Sequence, residues 1–256
     1  MIYLYGLLEP GDAEAGRIVL TDVAGVTGAV SVSACGGLAL IYGPHDGEDI
    51  LPRRRLLLAH AKVLELAMQA GPVLPMRFGM SSPSLDEVER LVIQSRDAVR
   101  EAFDRVRGHV EIGVRVSTSE EDALKAAISA SPQLAAAHAR LSDGQADHFA
   151  KVDFGRALGE QVGRRRQAAQ KRLLTELKPF VASHVLKAPE TDFEVLRAEF
   201  LIAEDSLDSF TSALEAAASG LEFGNGTDGA AQIVGPGPAF HFVNISLAGE
   251  AAGKAA

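Results

Sequence analysis

Hydrophobic residues recur along this chain with two periods, one typical of strands and the other typical of helices. Apolar runs rich in β-branched and aromatic residues predict strands at 2–8, 29–34, 38–42, 109–117, 192–203, 232–234 and 239–247. Apolar residues spaced three or four apart predict helices at 51–69, 84–107, 120–129, 147–186 and 205–219. Strands and helices in this order indicate an α+β fold with mostly antiparallel sheets.

The order of these elements divides the chain into two predicted domains. The first covers 1–108 and ends with a connecting helix at 84–108, and the second covers 109–247. Residues 248–256 are mostly small, which is typical of a disordered tail. A chain of 256 residues is long enough to bury one large core or two modest ones.

A glycine pair predicts a tight hairpin turn in the first domain. Gly36 and Gly37 separate two apolar runs, and such a pair supplies the positive φ that a two-residue hairpin requires. Cys35, the single cysteine, lies directly before this turn, so the chain has no internal disulfide. We interpret its thiol as a small buried hydrophobic group.

The segment 71–79 combines two prolines and one arginine in an apolar, strand-like run. Because proline has no N–H to donate, Pro75 predicts a strand at a sheet edge or beside a bulge. Arg77, between Met76 and Phe78, places a charge on a mostly buried strand, and this charge requires a partner. The partner is either a carboxylate of the same fold, in an internal salt bridge, or a group on another molecule.

The helix at 51–69 has a predicted apolar face and a basic start. Four residues share that face: Leu57, Ala61, Leu64 and Met68. Arg53, Arg54 and Arg55 stand at the N-terminus of the helix, where positive charge opposes the helix dipole. The acidic residues within 46–49 can neutralise this cluster, and we interpret it as a solvated group of charges. The alternative is that Arg53 and Arg54 contact an acidic partner.

The helix predicted at 147–186, with a break or kink at Pro179, contains three glycines spaced by four residues. They are Gly155, Gly159 and Gly163, and each costs a helix about 1 kcal/mol against alanine. A glycine face of this kind allows the close approach of another backbone. The approaching group belongs either to the protein's own sheet or to a helix of a partner.

Charge and composition exclude several classes of protein. The net charge of −9 argues against a general nucleic-acid binder, which needs an excess of lysine and arginine. The N-terminus lacks the basic segment of a signal peptide, and its apolar run breaks at Glu9-Pro10. No apolar run reaches the roughly 18 residues of a membrane span. The simplest expectation is a cytoplasmic protein.

The sequence predicts no catalytic residue, metal site or cofactor. Gly224–Gly229 matches a dinucleotide-binding pattern, but it follows a predicted helix instead of a strand, and we interpret it as a loop. His45 stands among acidic residues, which is typical of a solvated loop. His60 lies beside the apolar face of its helix, where a half-buried histidine is usual. An enzyme that uses either histidine with nearby acids stays an alternative, and a bell-shaped pH-rate profile would reveal it.

Four blocks of the chain resemble the gas vesicle protein F/L family (GvpF/GvpL). The most recognisable block combines three positions of one helix with the following segment: His60, Val63, Glu65 and 73–79. The other blocks are 2–6, 110–116 and 235–243. In the last block the family usually has aromatic residues between and after the prolines, where this chain has Gly237 and Ala239. The aromatic contact of the family is therefore in question there.

The resemblance implies a ferredoxin-like N-terminal domain, a second α+β domain and no enzymatic activity. It implies a role in gas vesicle assembly, through contact with the small hydrophobic shell protein (GvpA-type) and other accessory proteins. An acidic chain that covers the apolar surface of an aggregation-prone shell protein acts as a dedicated chaperone or a minor structural subunit.

Several residues are candidates for contact with these partners. An edge strand at Pro75 can pair with a strand of the shell protein. The full set of candidates is Pro75, Arg77, Arg53, Arg54, Gly155, Gly159 and Gly163. The alternative function is a ligand-sensing module that binds a small molecule between its two domains.

Overall fold

The structure is a computed structural model that describes residues 1–143, 147–221 and 231–244. The loop predicted at 224–229 and the tail at 248–256 lie outside the described residues. The chain forms two compact units, one of Met1–Glu111 with Pro236–Ala256 and the other of Ile112–Gly235. The division at residue 108 stays a prediction.

The first unit contains an antiparallel sheet and four helices. Its elements are β1 (Ile2–Leu8), α1 (Ala13–Val19), β2 (Ser31–Cys35), β3 (Leu38–Pro44), α2 (Arg54–Ala67), β4 (Val73–Pro75), β5 (Ser81–Ser82), α3 (Leu85–Gln94) and α4 (Arg96–Val106). The sheet has the order β2-β3-β1-β4, and β5 also pairs with β1. The central position of β1 explains its burial, because six of its seven residues are buried.

The predicted hairpin is confirmed at β2 and β3. Gly36 and Gly37 form its turn with φ of +61° and +85°, a conformation that side chains other than glycine rarely adopt. The Cys35 side chain is 2% exposed at the end of β2. It is therefore the small buried group that the sequence indicated.

The buried face of α2 differs from the predicted one. It consists of His60, Val63, Leu64 and Ala67, which pack into a core with Tyr3, Tyr5 and Ile41 of the sheet. Leu57 is 42% exposed instead. Both faces have helical spacing and share Leu64, so periodicity alone did not distinguish them. The packing against β1 selects the face that includes His60.

The second sheet has the order β7-β8-β6-β9. The elements of this part of the chain are β6 (His109–Ser117), α5 (Glu120–Ser129), α6 (Pro132–Ser142), α7 (His148–Leu177), β7 (Val181–Leu186), β8 (Glu194–Ala203), α8 (Leu207–Ser219) and β9 (Gln232–Gly237). β7 and β8 form an antiparallel pair. Mixed helices and antiparallel sheets confirm the predicted α+β class.

Three predicted elements have different limits in the structure. The helix at 84–107 is interrupted at Ser95, where ψ is 18° and a second helix begins. The helix at 147–186 ends at Leu177, because Pro179 removes a backbone donor and the chain continues as β7. The strand predicted at 239–247 is wrong for its described part: residues 239–244 form turns and coil, and β9 takes up Gly235–Gly237 instead.

Candidate partner-binding surfaces

A buried hydrogen-bond network lies between β1, α2 and the turn that follows β4. The Tyr3 hydroxyl oxygen lies 2.8 Å from His60 Nδ1, and His60 Nε2 lies 3.0 Å from the Met76 carbonyl oxygen. The Gly79 N–H donates to the Tyr3 hydroxyl at 3.1 Å. Two backbone groups of the turn at 76–79 are thus held by side chains from the core.

The geometry defines the tautomer of His60. A carbonyl only accepts, so Nε2 carries the proton that is donated to Met76, and Nδ1 accepts from the Tyr3 hydroxyl. The His60 side chain is 3% exposed, and this burial lowers the pKa of His60 to about 4. Burial likewise raises the pKa of Tyr3. Both side chains are neutral and fully hydrogen-bonded, which is the arrangement of a structural network.

Aromatic rings surround His60. The Tyr5 ring stacks on the imidazole with centroids 5.3 Å apart, and the Phe78 ring meets it edge-on at 5.8 Å. Phe78 belongs to the same turn as Met76 and Gly79, so ring contacts add to the two hydrogen bonds. The backbone on both sides of Arg77 is therefore held in place.

Pro75 lies on β4, the last strand in the order of the first sheet. It pairs with Gly6 beside an irregularity in the β1–β3 register between Leu4 and Gly6. Pro75 therefore lies both on an edge strand and beside a bulge, which are the two positions in a sheet that proline favours. Gly6 allows the close approach, because a Cβ there would lie 2.7 Å from the Leu74 carbonyl oxygen.

Arg77 lies beyond the strand, because β4 ends at Pro75. Its side chain is exposed. The internal salt bridge is wrong, since Arg77 forms no ion pair with any residue that the structure describes. The second partner that the sequence left open, a group on another molecule, stays a prediction.

Arg53 and Arg54 lie at the start of α2. Arg53 is the N-cap residue with extended φ and ψ, and the first turn of the helix contains no acidic residue. Both side chains are exposed, like that of Arg55. Within the described ranges these three arginines form no ion pair, so the cluster is exposed to solvent and contact with an acidic partner stays a prediction.

The glycines of α7 face open space. Among the residues that the structure describes, a Cβ added to Gly155, Gly159 or Gly163 would meet no atom of another element within 4 Å. Packing of these glycines against the protein's own sheet is therefore wrong. They border a groove of about 420 Å³ whose other walls include Leu124 and Phe193.

The chain is similar to proteins of one known family. The family model described as "Gas vesicle synthesis protein GvpL/GvpF" matches residues 1–244. The chain belongs to the GvpL/GvpF family. Gas vesicle protein F from a Streptomyces species is 32% identical over 172 residues, which are 66% of this chain and 71% of that protein. Gas vesicle protein F from a Nostoc species is 25% identical over 217 residues, 84% of this chain and 87% of that one.

Solved structures of GvpF share the fold of this GvpL/GvpF family member. The crystal structure of GvpF from an Anabaena species has a TM-score of 0.76 at 23% identity and covers 96% of both chains. GvpF from Microcystis aeruginosa has a TM-score of 0.71 at 22% identity, over 95% of this chain and 98% of that one. Membership in this family implies a part in gas vesicle formation and association with gas vesicles, and the family is not a known class of enzyme.

The buried network joins two of the blocks that resemble the family. Tyr3 comes from the block at 2–6, whereas His60, Met76 and Gly79 come from the most recognisable block. Sequence reasoning missed Tyr3 and treated His60 only as half-buried. An available signal was the histidine on a helix followed by a proline-rich strand, since a buried imidazole requires two hydrogen-bond partners.

A second polar network, on β6 and the β7–β8 connection, was also missed by sequence reasoning. Arg115 forms ion pairs with Glu190 and with Glu194, a carboxylate that is 2% exposed. Glu190 also pairs with Arg197 at 2.5 Å. These ion pairs link the β7–β8 connection to β6 and β8, and all their residues belong to the unit Ile112–Gly235.

The surroundings of Cys35, His60 and His45 bear on the alternative that the protein is an enzyme. Burial raises the pKa of Cys35 to about 11, so its thiol stays protonated at neutral pH. His60 is enclosed in its network. His45 has a buried side chain, and its Nδ1 lies 3.5 Å from Asp46.

None of the helices in the described part of the chain combines the length and apolar character that a membrane span requires.

Proposed function

We propose that this protein is a gas vesicle assembly factor that binds the small hydrophobic shell protein and other accessory proteins while vesicles form. In this role it is a chaperone-like or minor structural component, and it acts in the cytoplasm and at the gas vesicle. Its membership in the GvpL/GvpF family supports a part in gas vesicle formation. The observation that carries the binding role is the exposed Arg77 on a turn held by the buried network.

Arg77 lies on a turn that is already ordered before a partner binds. The turn is held by two hydrogen bonds and by the Phe78 ring, so little backbone freedom is lost when a partner binds. A guanidinium offers a planar set of donors that matches a carboxylate or backbone carbonyls. Arg77 therefore contacts the partner directly, and Pro75 beside it marks where an added strand of the shell protein ends, because proline cannot donate to it.

The glycine face of α7 is the proposed second contact of the assembly factor. Gly155 and Gly159 are exposed, and the groove beside them is lined by apolar side chains such as Leu158 and Phe193 together with Asp192. Without side chains at these positions, a partner helix can approach α7 closely. This contact suits an accessory protein that supplies a helix.

Co-expression with the gas vesicle shell protein of the same host tests the proposal. The affinity-tagged protein is expected to capture the shell protein and to increase its soluble fraction. Arg77→Glu should reduce capture while circular dichroism and the urea midpoint stay unchanged, because Arg77 is exposed and forms no ion pair within the described part of the chain. The matched control is Arg140→Glu, which makes the same charge change at an exposed position on α6.

Each result of this experiment has a defined meaning. Absence of capture by the folded wild-type protein, with the shell protein still aggregating, contradicts direct binding. Equal capture by wild type, Arg77→Glu and Arg140→Glu removes Arg77 from the interface. Loss of capture in both variants indicates a general effect of charge instead of a local contact.

A further inference from the structure

The N-terminal end of α2 presents apolar and basic side chains to solvent together. We call this the α2 basic–apolar surface, and it consists of Leu51, Arg53, Arg54, Arg55, Leu57 and Leu58. The three leucines are 61%, 42% and 59% exposed in chain order. Single exposed leucines are common, but here three lie within eight residues of the chain, beside three charges.

The three arginines of this surface have an unfavourable electrostatic environment. They stand side by side at a helix N-terminus, where the partial positive charge of the helix dipole adds to their own. Asp46, one of the acidic residues that could neutralise them, accepts the backbone N–H of Glu48. Within the described residues Arg53, Arg54 and Arg55 form no ion pair, although the chain as a whole carries a net charge of −9.

A second arginine triplet in the chain provides a comparison. In Arg164–Arg166 on α7, Arg164 lies 3.7 Å from Glu160 and Arg166 lies 3.6 Å from Asp192. Those arginines are stabilised by carboxylates of their own unit. The triplet on α2 differs from this second triplet, because its charges form no ion pair among the described residues and exposed leucines lie beside them.

We infer that the α2 basic–apolar surface binds an acidic amphipathic helix of a partner protein. Leu57 and Leu58 lie on a helix, and the apolar stripe of a second helix packs onto such a surface. Carboxylates flanking that stripe pair with the guanidinium groups and with the positive end of α2. This inference rests on the proposed assembly function, since it gives the chemistry of one binding partner of the assembly factor.

Two synthetic helical peptides are the probes for this surface. Each has about 18 residues, with leucine on one face and either glutamate or lysine at the flanking positions, and this length permits helix formation on binding. Fluorescence anisotropy of the labelled peptides measures binding to the full-length protein. We expect the glutamate peptide to bind, with an affinity that falls as salt is raised, and the lysine peptide to bind at least tenfold more weakly.

Three variants identify the residues involved. The triple variant Arg53→Gln, Arg54→Gln, Arg55→Gln should weaken binding of the glutamate peptide at least tenfold. The control, Arg140→Gln, Arg156→Gln, Arg164→Gln, has the same change in net charge and should bind like wild type. Leu58→Ser keeps all charges and should also weaken binding, which separates an amphipathic ligand from a merely anionic one. Circular dichroism verifies that every variant is folded.

Several outcomes overturn the inference. One is equal binding of the two peptides, and another is unchanged binding in the α2 triple variant. Arginine-dependent binding to phosphatidylserine vesicles without binding to the glutamate peptide assigns the surface to a membrane instead. Shell capture by the wild type, with no peptide binding, rejects the inference alone. Arginine-dependent peptide binding, with no shell capture, supports this surface and rejects the shell-binding function.

Discussion

Replacement of His60 tests the central network of the first unit most directly. In His60→Phe a larger aromatic ring replaces the imidazole, the Tyr3 hydroxyl loses its acceptor and the Met76 carbonyl loses its donor. Each buried group left without a partner costs about 1–3 kcal/mol. We expect a loss of about 2–4 kcal/mol of unfolding free energy at about pH 7.5, where His60 is neutral in both the folded and the unfolded chain.

The same substitution has a distinct pH dependence. The pKa of His60 is about 4 in the folded protein and 6.5 in an unfolded chain, so the unfolded state binds the proton more tightly. The stabilisation is therefore complete above pH 6.5 and is lost as the pH falls towards 4. The difference in pKa corresponds to about 3 kcal/mol. Wild type should lose this amount between about pH 7.5 and 4 relative to His60→Phe, which has no group to protonate.

Urea unfolding followed by circular dichroism between about pH 4 and 7.5 measures both effects. The curves of wild type and His60→Phe should converge as the pH falls. His148→Gln is the matched control, because it removes an exposed histidine and should follow wild type throughout. A gap between wild type and His60→Phe that stays constant or widens towards pH 4 would refute the buried, neutral His60 described above.

Three further changes probe other parts of the chain. Gly6→Ala should reduce stability by about 1–3 kcal/mol in urea unfolding, because its Cβ would overlap the backbone of β4; unchanged stability would contradict the close approach. Gly155→Ala, Gly159→Ala and Gly163→Ala should each stabilise the protein by about 1 kcal/mol in thermal unfolding, since a Cβ meets nothing within 4 Å; destabilisation would show that α7 is packed there. Arg115→Met should lower the urea midpoint, because it leaves the buried carboxylate that it pairs with on β8 without its cation; an unchanged midpoint would mean that the network adds no stability.

Several features of the fold follow from local sequence. The Gly36-Gly37 hairpin, the capping of α3 by Ser84 and the end of α7 before Pro179 depend on φ, ψ and hydrogen bonds of adjacent residues. The α+β class follows from the order of the periodic segments. The resemblance to the GvpL/GvpF family, carried by the four blocks of sequence, agrees with the family model that matches the chain.

Other features depend on residues far apart in the chain. Periodicity left the buried face of α2 ambiguous, and the packing against β1 decided it by giving His60 a partner in Tyr3, 57 positions away. The fate of Arg77 was equally open. It required the end of β4 at Pro75, after which the side chain leaves the sheet for solvent.

The candidate binding surfaces show the same division. The positions of Arg53, Arg54 and Gly155 were evident from their spacing and charge. Whether a carboxylate neutralises an arginine, or a neighbouring element fills the space beside a glycine, depends on tertiary contacts that a one-dimensional pattern does not contain. Local chemistry therefore determined which residues are unusual, and the packing of distant segments decided which of them are left exposed.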